Sequence, residues 1–235
     1  MQNTSKLLFL YAFSLIVSAA YSAIAQEPIQ VQRLKQMIDI LKTHPEYALV
    51  KTNKLEYEKQ KEHPTNELRK YFDFNTMTEQ ALHERYKNEY WTSGSSKKEF
   101  QKTLQELIEA IAYPQVQKSL KKTNFLIQYS DHVDREESSI KVTMTTIFKA
   151  ESKEEVDIKY KIVFYFNKKG LIYDLISYDE DNEPYFHFVR SLREQISEFI
   201  KEKKNEKSDD AYNATVLRLK ETLAKVRDGK YLFAD

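Results

Sequence analysis

Val31, Leu34, Met37, Ile38 and Leu41 recur three or four positions apart, the spacing that gathers them on one face of a helix over Ile29 to Leu41. His44-Pro45 ends that helix, because the residue before a proline is pushed out of the α region. A second, highly charged helix is predicted from Glu46 to Lys61, with a thin apolar stripe at Leu49, Val50 and Tyr57; His63-Pro64 ends it in turn. Leu68, Tyr71, Phe72 and Phe74 follow in close succession, and Asp73 is placed to cap a helix running through Met77, Ala81 and Leu82 toward Tyr86. Thr92 to Ser96 reads as a loop, and Ser96-Lys97-Lys98-Glu99 as a capping box. The helix it opens carries Phe100, Leu104, Leu107, Ile108 and Ile111 on one face. Pro114 kinks or ends it, with Val116 and Leu120 marking a further turn or two.

After Lys122 the period changes from helical to alternating. Phe125 to Tyr129 reads as a strand, and Ile140 to Phe148 sets Ile140, Val142, Met144 and Phe148 against Lys141, Thr143, Thr145 and Lys149. The clearest run follows: Val156, Ile158, Tyr160, Ile162, Phe164 and Phe166 alternate with Asp157, Lys159, Lys161, Val163, Tyr165 and Asn167. Asn167-Lys168-Lys169-Gly170 is a hairpin turn with glycine where a positive φ is needed, and Leu171 to Ser177 returns as another strand. Asp179 to Pro184 is a polar loop. A helix from about Tyr185 to Lys201 carries Phe188, Val189, Leu192, Ile196 and Phe199, and a last one, from about Ala211 to Arg227, carries Tyr212, Val216, Leu219, Leu223 and Val226. The fold class is α+β: a curved antiparallel four-stranded meander, apolar on one face and wet on the other, covered by helices.

The start of the chain is of a different kind. Lys6, an apolar run from Leu7 to Ala20 and then Tyr21-Ser22-Ala23-Ile24-Ala25 form the pattern of a secretory signal cleaved after Ala25. Ser14, Ser18 and Ser22 weaken the alternative, an uncleaved membrane anchor. The expected organisation is a signal peptide over 1–25 and a single domain over 26–235. No cysteine occurs, so neither a lipoprotein anchor nor a disulfide framework is available, and an exported chain of this kind fits a bacterial envelope compartment.

Charge narrows the partners. Lys and Arg total 37 against 36 Asp and Glu, interspersed along the chain, which argues against a nucleic-acid surface. The densest run, Lys201 to Asp210, carries both signs and reads as a solvated linker. Three glycines, Gly94, Gly170 and Gly229, leave no phosphate-cradling loop or dinucleotide fingerprint. The 16 Tyr and 13 Phe fit a wide apolar interior and fit a codon bias equally well.

The inventory for chemistry is thin. His44, His63, His83, His132 and His187 form no i, i+4 pair and no HExxH, so a metal site has little support. Asp131-His132-x-Asp134, beside Arg135, Glu136 and Glu137, reads as a solvated turn rather than a metal cluster. A nucleophile elbow lacks its glycines, and Asp179, Glu180 and Asp181 lack apolar surroundings to raise a carboxyl pKa. No catalytic residue and no cofactor is expected. Asp174 stands apart. It lies mid-strand between Ile172, Tyr173, Leu175 and Ile176, where a carboxylate needs a partner or a function. Pairing with an Arg or Lys, or with backbone donors, on a neighbouring element is the structural expectation, with Arg193 on the following helix the partner to test, and a catalytic base is the alternative. The apolar stripes themselves fit a filled core or a lined cavity, because both need the same residue types.

Ordered motifs carry the reading further. Leu68-Arg-Lys-Tyr-Phe-Asp-Phe-Asn-Thr-Met77 resembles the YFDFxxM segment of the toluene-tolerance/MlaC family of periplasmic phospholipid-binding proteins. Tyr90-Trp91, Phe100 with Leu104 to Ile108, and Tyr113 follow in the same order. Val156 to Tyr160 is similar to that family's VDYxL strand, Leu171 to Ile176 to its WxVYDVxV strand, and Phe188 to Ile196 to its LVxxYRxQF helix. Leu171 and Leu192 stand where the family carries Trp and Tyr, and Ser177 to His187 is longer than its corresponding turn.

The resemblance implies a nuclear-transport-factor-like or cystatin-like domain with an apolar pocket between sheet and helices. It implies a monomeric periplasmic carrier that ferries phospholipid between an outer-membrane lipoprotein complex and an inner-membrane ABC transporter. Moving a two-chain lipid bare through water costs on the order of 20 kcal/mol at about 0.8 kcal/mol per methylene, which a dry pocket would avoid. The candidate lining is Phe72, Phe74, Met77, Leu104, Ile108, Ile111, Val142, Met144, Tyr160, Ile162, Phe164, Tyr173, Leu175, Phe188, Leu192 and Ile196. Two rivals stand beside it: a small-molecule enzyme of the same fold class using Asp174, and an envelope adaptor with a filled core.

Overall fold

The computed structural model describes residues 27–82, 84, 87, 94–121, 125–130, 133–136, 139–148, 158–203 and 210–230. The expected signal peptide, His83, Tyr86, Tyr90, Trp91, Thr92, Asp131, His132, Val156, Asp157 and most of the charged run after Lys203 lie outside them, as do the side chains of Phe148, Ile158 and Tyr212.

Helix α1 (Ile29–Thr43) buries the expected face, Val31, Leu34, Met37, Ile38 and Leu41. His44 leaves the helix in an extended conformation (ψ 139°), as the following proline requires. The charged segment beyond it is not one helix but two, α2 (Ala48–Thr52) and α3 (Lys54–Leu68). Asn53 makes the break: its backbone is non-helical and its side chain accepts the Glu56 amide, so it caps the second helix. Helix α3 does not stop at Pro64. A proline removes one helical donor, but Pro64 and Leu68 are both buried, and that tertiary contact carries the helix a turn further, into a 3-10 turn at Arg69–Tyr71.

Asp73 caps α4 (Phe74–Ala81) as the pattern predicts, its carboxylate accepting the Thr76 amide at 3.0 Å and the Thr76 hydroxyl at 2.8 Å. Helix α5 (Gly94–Leu120) starts earlier than expected, so Gly94 to Ser96 is helix rather than loop. Ser96 is therefore already inside the first turn, and Glu99 pairs with Lys220 at 2.6 Å instead of closing a capping box. Helix α5 continues through Pro114 to its end.

The sheet is antiparallel and six-stranded rather than four-stranded: β1 (Phe125–Tyr129), β2 (Asp134–Arg135), β3 (Ile140–Phe148), β4 (Ile158–Phe166), β5 (Ile172–Tyr178) and β6 (Pro184–His187). Its order is β1-β3-β4-β5-β6, with the two-residue β2 pairing β3 off this path. The two unforeseen strands are short. Strand β2 is polar and exposed, so no alternation announces it. Strand β6 comes from Tyr185 to His187, expected as the start of a helix; those residues instead satisfy the open edge of β5, His187 facing Ile176 and Phe186 facing Ser177. Helix α6 (Phe188–Lys203) begins only then, and α7 (Asp210–Arg227) lies against α5 through the Lys220–Glu99 and Arg227–Glu106 pairs.

Between β4 and β5, Gly170 takes φ +74°, the Gly170 amide donates to the Asn167 carbonyl at 2.9 Å, and the Asn167 side chain donates to Asp73 at 2.7 Å. The hairpin turn is thus tied to the cap of α4. The Asp73 amide also donates to the Ile172 carbonyl, laying the Tyr71 to Phe74 segment along the start of β5.

Register sets Val142 opposite Phe164, Met144 opposite Ile162 and Thr146 opposite Tyr160, all on the helix-covered face. On the other face Lys141 and Lys161 lie over the rings of Tyr165 and Tyr178 at 5.4 and 5.0 Å. Under the helices, Leu34, Phe100, Leu104, Val142, Phe166 and Ile172 are all at most 1% exposed and form a filled core at one end of the sheet.

Candidate functional site: an apolar hollow beside the filled core

At the other end of the same sheet face the helices and strands do not meet, and a cavity of about 530 Å³ lies between them. Helix α1 contributes Met37, Ile38 and Leu41; Phe72, Phe74 and Met77 close one side. Helix α5 turns Ile108, Ala112, Val116 and Leu120, every fourth residue, toward it, with Tyr113 and Gln115 alongside. The sheet supplies Ile127, Met144, Thr146, Tyr160, Ile162, Phe164, Leu175 and Ser177. Tyr185 and Phe186 of β6, with Phe188, complete the wall. Val116, Tyr185 and Phe186 are also solvent-exposed, at 38, 60 and 39%, so the opening lies between the C-terminal half of α5 and β6.

The hollow has a local cause. Short side chains at Thr146, Ala112 and Ser177 leave space there, whereas Phe166 and Ile172 fill the other end.

Asp174 is the one carboxylate among the described residues of the wall, and it is 7% exposed. Pairing between β4 and β5 slips here: Tyr165 faces Asp174 while Phe166 faces Ile172, leaving Tyr173 extra. Tyr173 turns to the outer face against the Tyr165 ring, 6.3 Å between centroids. One Asp174 oxygen accepts the Leu175 amide at 2.8 Å and the Val189 amide at 3.2 Å; the other meets His187 Nε2 at 2.5 Å. The Val189 amide belongs to the first turn of α6, so the carboxylate sits at a helix N-terminus, where the free donors and the helix dipole favour negative charge. Arg193, the partner expected, is elsewhere: its Nε donates to the Gln80 carbonyl at 2.7 Å, tying α6 to α4. The helix's own first turn and β6 reach Asp174 before Arg193 can.

Tyr113 is 3% exposed, with its ring stacked on Phe72 (6.1 Å) and edge-on to His44 (5.9 Å). Burial pushes its phenol well above the usual tyrosine range, so it remains an O–H group, and that hydroxyl has no protein partner among the described residues. One turn earlier, Glu109 accepts a bidentate pair from Arg69 at 2.7 and 2.8 Å, joining the 3-10 turn to α5. Beneath them His44 is 2% exposed, donates Nδ1–H to the Pro45 carbonyl, and is driven down to about 4 by burial, so it is neutral at pH 7.

Ten of the sixteen residues expected as lining face the cavity: Phe72, Phe74, Met77, Ile108, Met144, Tyr160, Ile162, Phe164, Leu175 and Phe188. Six do not. Val142 is fully packed core, and Tyr173 is displaced to the opposite sheet face by the slipped register. Leu104, Ile111, Leu192 and Ile196 lie on the far side of α5 and α6, around a second groove shared with Leu217 and Phe199. Sequence reasoning missed Met37, Ile38, Leu41, Ala112, Val116, Leu120, Ile127, Thr146, Ser177, Tyr185 and Phe186. Continuing the four-residue step from Ile108 finds three of them; nothing in the pattern marks Thr146 or Ser177.

Fold and site together define an α+β protein with an open apolar hollow beside a filled core. No family model matches the chain, and no curated protein does. Among solved structures it is similar to a phospholipid-binding protein from Ralstonia solanacearum in complex with a phospholipid, at 13% identity over 82% of this chain and 96% of that one, with a TM-score of 0.48. At that identity and score the likeness transfers neither fold detail nor ligand.

Proposed function

We propose that this chain is an exported lipid carrier that shields the acyl part of a phospholipid in the cavity under β3 and β4 and performs no chemistry on it. The observation that carries the reading is the hollow itself, a wall almost wholly of aliphatic and aromatic side chains, open at one end. Acyl chains inside would leave a charged head group at the rim between Val116 and Phe186. The signal-like start points to a periplasmic location, and the ordered motifs shared with the toluene-tolerance/MlaC family support partners in outer- and inner-membrane lipid-transport complexes. The test is native mass spectrometry of the mature protein purified from cells, beside an organic extract of the same sample. Phospholipid at a stoichiometric level supports the carrier; a clean protein mass with an empty extract contradicts it.

Among the described residues, the Asp174–His187 pair beside the cavity is the feature that favours an acid/base enzyme. Against that, both carboxylate oxygens are occupied, and two of their three donors are backbone amides, which gives the residue a structural task. Asp174→Asn separates the two. A carrier variant loses stability and loads lipid once refolded, whereas an enzyme variant keeps its fold and loses turnover.

A further inference from the structure

Resting on the carrier reading, we infer that the hollow holds the ester end of its lipid as well as the chains, with the Ser177 and Thr146 hydroxyls donating to acyl carbonyl oxygens just inside the mouth. Three rows of inward side chains cross the sheet floor. The deepest, Val142, Phe164 and Leu175, borders the filled core and is all hydrocarbon. Met144, Ile162 and Ser177 form the next, and Ser177 stands opposite Phe186 at the rim. Thr146 and Tyr160 form the last, where the Tyr160 ring meets that of Tyr185, also at the rim, 6.2 Å between centroids. Hydroxyls therefore enter the floor in the rows nearest the mouth. A phospholipid entering tail first has the same order: chain ends, then esters, then head group. Ser177 is 6% exposed and Thr146 partly buried, both face the cavity, and neither hydroxyl has a hydrogen-bond partner among the described residues. Asp174, the carboxylate of the same wall, has both oxygens engaged. A hydroxyl closed off from water needs an acceptor. A bare methylene lying over Ser177 leaves it without one, whereas an ester carbonyl there supplies it.

Ester and ether lipids differ in those carbonyls alone, which gives the test. Delipidated mature protein is incubated with vesicles holding equal amounts of dipalmitoyl phosphatidylethanolamine and its di-O-hexadecyl ether analogue, and the loaded lipids are weighed by native mass spectrometry. Wild type should load the ester over the ether by about fivefold for each hydrogen bond made. Ser177→Ala and Thr146→Val should each remove one such factor, and the double variant should load the two lipids alike, with ether loading unchanged throughout. An even ester-to-ether ratio in wild type, a result that needs no variant to fold, overturns the inference and leaves the carrier reading standing. So does a preference that persists in the double variant, since it then lies with other groups. Palmitic acid that displaces the ester lipid from wild type and not from Ser177→Ala makes a carboxylate the acceptor and overturns the ester assignment. Loading of neither lipid overturns the carrier reading as well.

Discussion

The two ends of the helix-covered sheet face are built from the same strands by the same alternation, yet one is solid and the other hollow. At the solid end Val142, Phe166 and Ile172 meet Leu34, Phe100 and Leu104, all at most 1% exposed. At the hollow end Met144, Thr146, Ile162 and Ser177 look across open space at Ala112 and Val116. Apolar alternation decides which face is buried; side-chain reach decides whether the buried space is occupied. A filled core stabilises the fold on its own, whereas a lined hollow leaves part of that stabilisation to be supplied by a ligand.

The largest expected effect separates the two ends directly. Phe166→Ala should cost about 3–5 kcal/mol, the lost transfer energy plus a new void, as read by denaturant unfolding of delipidated protein. Ile162→Ala at the hollow end only enlarges an existing space and should cost about 1–2 kcal/mol. Equal losses would mean that both ends are packed alike.

Below that comes a pH effect beside the site, at the histidine packed against Tyr113. His44 titrates near 4 in the fold against 6.5 for an ordinary histidine, because burial disfavours its charged form. Between those values the unfolded chain takes up a proton that the folded chain refuses. The contribution is therefore complete above about pH 6.5 and is lost progressively as pH falls toward 4. It amounts to about 3 kcal/mol in all. His44→Phe should remove that slope from the stability–pH curve, measured by urea unfolding across the window; an unchanged slope would place its origin elsewhere.

Smaller still is the clamp across the wall. Arg69→Ala leaves Glu109, 7% exposed, with Gln105 as its one remaining partner among the described residues and should cost about 1–2 kcal/mol, discounted because Arg69 is itself half exposed. If the clamp holds the hollow open, the same variant weakens lipid loading more than Ile162→Ala does.

Much of this fold was legible in the chain. Alternation placed β1 and β3 at their observed boundaries, and Asp73 and Gly170 announced a cap and a turn by residue type alone. Two of the failures share a cause: each depended on tertiary surroundings that the local pattern does not carry. Helix α3 crosses Pro64 because its last turn is buried, and β6 exists because β5 had an open edge. That Asp174 needed a partner followed from its apolar neighbours, but His187 became that partner only through a slipped register and a short added strand. The hollow was the least legible feature. A lined cavity and a filled core share one periodicity, and the difference rests on the reach of side chains such as Thr146 and Ser177.

Xenon tests the central point most directly, since dry apolar cavities take it up and filled cores do not. In crystals of the delipidated protein under xenon pressure, density should stand between α5 and the β3–β4 strands, beside Met144, Ile162 and Ala112. Crystals in which those side chains meet one another, with no xenon between them, would contradict the existence of the hollow and with it the carrier.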